Sequence, residues 1–120
     1  MSPEPITAKR PAGLAPVRVA LDNGIVSLGK SARTTPAVTI NLAMRAGSIC
    51  DPASLPGAMW LLSRVLDRGT AHRSASDIAD ALDGRGVTVT IALTRHILTL
   101  SCTCLSEDFE AVLALLAEIV

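Results

Sequence analysis

Val87-Thr-Val-Thr-Ile-Ala-Leu-Thr94, then Arg95-His96, then Ile97-Leu-Thr-Leu-Ser-Cys-Thr-Cys104 is the stretch that sets the fold class. Apolar and small polar residues alternate on both sides of a short break. This is the pattern of two half-buried strands joined at Arg95-His96. Upstream, Ala37 to Ala46 alternates in the same way, with Val38, Ile40, Leu42 and Met44 on one face and Thr39, Asn41 and Arg45 on the other. Between these strands the period changes. From Gly57 to Arg68, Ala58, Leu61, Leu62 and Val65 fall at helical spacing, and Gly69 is placed to end the helix. Ser74-Ala-Ser-Asp77 matches a capping box ahead of Ile78, Ala79 and Leu82, and Gly84 and Gly86 stop that second helix. After Cys104, Ser106 is the expected cap of a further helix with Glu107 and Asp108 in its first turn, where the macrodipole favours acids. Its apolar face is read as Phe109, Val112, Leu113, Leu116 and Ile119. Strands, two helices, a strand pair and a helix predict an α+β fold, a largely antiparallel sheet with helices packed on one face.

Toward the N-terminus, Val17–Leu21 and Ile25–Leu28 flank Asp22-Asn23-Gly24, a strong hairpin signal. Residues 1–16 hold four prolines and no periodic pattern, and read as a flexible leader to a domain over 17–120. The apolar stripe of the last helix runs to Val120 without a glycine, proline or basic last turn. The chain is therefore expected to be the first part of a longer domain.

Composition narrows the function. Apolar residues make up 49%, and the aromatics are Trp60 and Phe109 with no tyrosine, so the core must be aliphatic. Platforms for stacking single-stranded bases need exposed aromatics that this chain does not supply. Eleven acids balance eleven bases, which gives no field to attract nucleic acid or an anionic membrane. No signal peptide or membrane-length apolar run occurs, and a cytoplasmic protein without nucleic-acid or membrane partners is expected. The odd set Cys50, Cys102 and Cys104 fits free thiols rather than a disulfide framework. Cys102 and Cys104 lie two apart on a strand and share a face; they read as small buried hydrophobes, because a metal site would need two further ligands nearby.

Catalytic constellations are lacking. Asp67, Asp80 and Asp83 read as solvated helix positions, His72 and His96 as surface residues, and Gly84-Arg-Gly86 as a helix stop rather than a phosphate loop. No serine has a histidine and an acid at interpretable spacing.

Several landmarks, in order, resemble the N-terminal domain of the insulinase, pitrilysin and processing-peptidase family. Leu21-Asp-Asn-Gly24 is similar to its opening L-x-N-G hairpin. Thr35-Pro36 and Arg45-Ala-Gly-Ser48 resemble its P-x-V … R-A-G-S strand, and Leu55-Pro-Gly57 its L-P-G turn. Arg68-Gly-Thr70 resembles K-G-T, Ser74 through Leu82 the S-A-x-x-I-A-x-x-L helix, Gly86 the glycine opening the next strand, and Ser106-Glu-Asp-Phe109 S-E-D-L. The resemblance implies a processing-peptidase metallohydrolase-like fold.

It also implies where zinc chemistry would lie. The family's inverted signature, His-x-x-Glu-His, falls between Gly57 and Gly69, where this chain has Trp60, Leu61, Leu62, Ser63 and Arg64. Trp60 has no lone pair for a metal, Ser63 is no general base near neutral pH, and Arg64 is a permanent cation. The family's third ligand, a downstream glutamate, would lie beyond Val120. No catalytic residue, no metal site and no cofactor are therefore expected, although active relatives carry zinc. The family's peptide-binding edge strand, N-A-x-T, corresponds to Thr90, Ile91, Ala92 and Leu93, so a peptide ligand is possible through main-chain pairing. The alternative is that Val87, Val89, Ile91 and Leu93 simply form the core face. Trp60 and Arg64, four apart, either stack as a cation–π pair or stand on an exposed face. The expected function is a non-catalytic domain. It would be the inactive partner of a catalytic zinc-peptidase subunit, or half of a peptide chamber with a second domain of the same fold. The alternative is a structural or interaction module, or a fragment, with no proteolytic role.

Overall fold

The computed structural model describes residues 15–120, so the leader expectation falls almost wholly outside the described residues. The chain divides into two compact units at Thr35/Pro36.

In the first unit, β1 (Val17–Ala20) pairs antiparallel with β2 (Val26–Gly29). The connection spans Leu21 to Ile25. Gly24 takes φ +86 there, and its N–H donates to Leu21 O at 3.0 Å. The Asn23 side chain accepts from Ile25 N at 3.1 Å. The Asn-Gly pair thus acts as its chemistry requires, with a side chain that mimics backbone and a residue that tolerates positive φ.

The second unit carries a three-stranded antiparallel sheet in the order β3 (Ala37–Met44), β5 (Leu98–Leu105), β4 (Thr90–Leu93). Register places Ile40 opposite Cys102, Leu42 opposite Leu100, and Leu100 opposite Ile91. The inward row of every strand therefore lies on one face. On that face sit α2 (Ala75–Asp83), which buries Ile78 and Leu82, and α3 (Phe109–Ile119), which buries Val112, Leu115, Leu116 and Ile119. The aliphatic α+β core expected from the sequence is present.

Several boundaries differ from the sequence reading. The alternating run expected from Val87 pairs only from Thr90, because Val87 N–H instead donates to Leu82 O at 3.0 Å and closes the end of α2. Ser106 does not cap a helix by its side chain. Ser106–Asp108 form a 3₁₀ turn whose first N–H donates to Pro36 O at 3.0 Å, and α3 follows. Leu113, expected inside, is 37% exposed, and Leu115 is buried in its place. Val112, Leu115, Leu116 and Ile119 make the narrower i, i+3, i+4, i+7 stripe. Ser74 and Asp77 do form the expected capping box.

Cys102 and Cys104 are buried, and burial pushes both thiols up from the ordinary range; Cys50 is exposed. Thiolate is the reactive form. A native-state thiol-labelling time course should modify Cys50 rapidly, and Cys102 and Cys104 only on unfolding.

Candidate functional site

The matching positions for the family signature lie on α1 (Ala58–Val65). This helix is started from a distance. Gly57 takes φ +90, and the Asp51 carboxylate accepts from Gly57 N at 2.7 Å and Met59 N at 2.8 Å. Two free N–H groups of the first turn are thereby satisfied, by a residue outside the local window in which caps are normally sought. The sequence reading extended this helix to Arg68. It ends at Val65, after which Arg68 N–H turns back to Val65 O at 2.9 Å. Gly69, at φ +142, bridges to Ser74.

Trp60, Ser63 and Arg64 occupy i, i+3 and i+4 of α1 and so share a side of the helix. Trp60 is 61% exposed, Arg64 is exposed, and the Ser63 hydroxyl donates to Trp60 O at 2.7 Å. Among the described residues no ring contact joins Trp60 to Arg64, so the exposed-face alternative describes them. Arg64 stands in the last turn, where a cation complements the helix dipole. The adjoining apolar side is exposed as well, and an open groove of about 440 Å³ runs along Leu55, Leu61, Leu62 and Val65.

α1 packs against β4, the strand that carries Thr90, Ile91, Ala92 and Leu93. The two sequence-predicted regions are therefore neighbours. Within the described sheet β4 pairs only with β5. Its side chains alternate: Ile91 and Leu93 turn toward the core, while Thr90 and Ala92 are exposed. Val87 and Val89 also belong to the core side, as the alternative reading held. His72 and His96 are both at the surface.

Sequence reasoning missed three residues around this site. Asp51 is one. Gly47 is buried and fits against the Arg95–His96 backbone, where Ser48 N–H donates to Thr94 O and Ile49 N–H to Arg95 O at 3.1 and 2.9 Å. Glu118 is the third, and it accepts from Thr70 Oγ1 at 2.5 Å and from Arg73 Nε at 3.0 Å. Asp51 and Glu118 carry no local signal, and although Gly47 belongs to the Arg45-Ala-Gly-Ser48 landmark, its close approach to Arg95–His96 is a long-range contact.

An antiparallel sheet with helices on one face and an exposed helix beside its edge strand defines an α+β layered domain. The sequence model of the insulinase family (peptidase family M16) matches residues 26–120, and the chain belongs to this family. A peptidase M16 inactive domain from Pseudomonas fluorescens is similar at 27% identity and TM-score 0.80, over 88% of this chain and 26% of that one. A protease from Helicobacter pylori shares the fold at 16% identity and TM-score 0.79, again over 88% of this chain and 26% of its own. The chain thus spans about a quarter of the length of these two structures. No curated protein matches the sequence significantly.

Proposed function

We propose that this chain is a non-catalytic insulinase-family domain that works as the inactive partner of a catalytic zinc-peptidase subunit, or of a second domain of the same fold. The observation that carries the reading is the set Trp60, Ser63 and Arg64 at the signature positions of α1. A catalytic zinc needs three protein ligands and an open position for water. This set does not fit one: it supplies no imidazole and no carboxylate, and it adds a fixed positive charge. No step of peptide hydrolysis is assigned to these residues. The similarity to an inactive domain of the same family supports the reading.

In this account β4 offers main-chain groups to an extended peptide, while catalysis falls to the partner. A cytoplasmic setting belongs to the same proposal and is supported by three free thiols. No helix among the described residues is long and apolar enough to cross a membrane.

Affinity purification of the natural gene product from its own cells tests the partnership. The expected result is stoichiometric recovery of a relative with an intact His-x-x-Glu-His motif, or that motif on the same polypeptide. Recovery of the product without either, at full abundance, would point to the structural or interaction module instead.

A further inference from the structure

α1 is held differently from the other two helices. α2 and α3 are anchored by fully buried aliphatic side chains, whereas α1 has no buried residue and exposes Leu61 and Leu62 at 58% and 40%. Ala58, Met59 and Ser63 are only half-buried. One apolar contact, the partly buried Leu66 at the helix C-cap, ties the segment to the core, and polar contacts at its two ends supply the rest. At the entrance, Asp51 accepts from Gly57 and Met59 N–H. At the exit, the loop from Gly69 to Ser74 is organised by Thr70. Its hydroxyl oxygen accepts from His72 N at 3.2 Å and Arg73 N at 3.0 Å, and the same hydroxyl donates to Glu118 on α3. Arg73 adds an ion pair to the other Glu118 oxygen.

We infer that α1 is a separately opening segment, latched by Asp51 at its entrance and by the Thr70–Glu118 contact at its exit, and able to leave β4 without opening the core. Segments with few buried apolar contacts open at lower free energy than the elements around them. The Arg73–Glu118 ion pair is half-exposed and adds little. The hydroxyl contact matters more, because it joins the loop's internal hydrogen bonds to α3. The Thr70 hydrogen bond, with help from Arg73, also holds the Glu118 carboxyl below the usual range. The consequence is that the helix bearing the signature positions is adjustable while the sheet beneath it stays fixed. This inference does not depend on the catalytic status of the chain.

Hydrogen exchange followed by mass spectrometry on the 120-residue chain tests it, with β5 as the internal reference. The wild type should exchange faster over 58–65 than over 98–105. Asp51→Ala should speed α1 exchange roughly five- to tenfold, as loss of a helix cap predicts. Thr70→Val should speed exchange over both 58–65 and 69–74, with β5 and α3 unchanged, and Thr70→Ser should restore wild-type rates. Equal exchange of α1 and β5 in the wild type, whether both are protected or neither is, overturns the inference. So does a Thr70→Val effect that spreads uniformly over every element, or one that Thr70→Ser reproduces.

Discussion

Gly47→Ala should lower the stability of the Pro36–Val120 unit by about 3 kcal/mol, at the upper end of ordinary overpacking costs. A Cβ at this position would lie 2.3 Å from the carbonyl carbon and oxygen of Arg95 and from the nitrogen of His96. All three are backbone atoms, so no side chain can swing aside. Relief would have to come from separating the Gly47–Ile49 turn from the β4–β5 connection, at the expense of the hydrogen bonds from Ser48 and Ile49. The backbone angle itself is not the cause, since Gly47 has an ordinary φ of −80. Gly86→Ala is the matched comparison within the same unit. It has φ +64 and open space around the added methyl, so its cost should be conformational only, about 1 kcal/mol. Urea unfolding of both variants separates the two mechanisms, and a Gly47→Ala midpoint no lower than that of Gly86→Ala would refute the close-approach explanation.

Leu100→Ala is expected to cost about 2–5 kcal/mol, the range for deleting a fully enclosed leucine. Leu100 has 0% exposure and lies at the centre of the sheet, opposite Leu42 on one side and Ile91 on the other. Rigid strands on both sides limit how far the void can collapse, which places the cost toward the upper half of the range. Leu61→Ala is the contrasting case. Leu61 belongs to the apolar stripe of α1 but is 58% exposed. Its truncation should change stability by no more than about 0.5 kcal/mol, as for surface substitutions generally. Equal losses at Leu61 and Leu100 would mean that α1 is part of the core. The same pair of thermal or urea midpoints therefore bears on the fold and on the adjustable helix together.

Alternation in Ala37–Met44 and Leu98–Leu105 was readable because a strand buried on one face imposes a period of two on its side chains. The capping box at Ser74 was readable for a similar reason, since both partners lie within one helical turn. Ser106 stood ahead of an apolar stripe with acids in the next two positions and was misread as a cap. A serine ahead of an apolar stripe fits a cap, yet a 3₁₀ turn closed against Pro36 satisfies the backbone equally well. On α1 the spacing of Ala58, Leu61, Leu62 and Val65 showed which residues share a side, but periodicity does not say what covers that side. The placement of Trp60, Ser63 and Arg64 on a helix followed from ordered motif matches, whereas the packing of that helix against β4 emerged only from the fold. The roles of Gly47 and Glu118 were illegible because they arise only when distant segments meet, and that of Asp51 because it caps α1 from beyond the usual local window.

Zinc content measured directly on the purified chain, after expression in zinc-supplemented medium and removal of loosely held metal, tests the non-catalytic reading most sharply. The account predicts far less than one zinc per chain, with the residual amount unchanged by Ser63→Ala or Arg64→Ala. About one equivalent of tightly held zinc that is lost on substituting Trp60, Ser63 or Arg64 would contradict it.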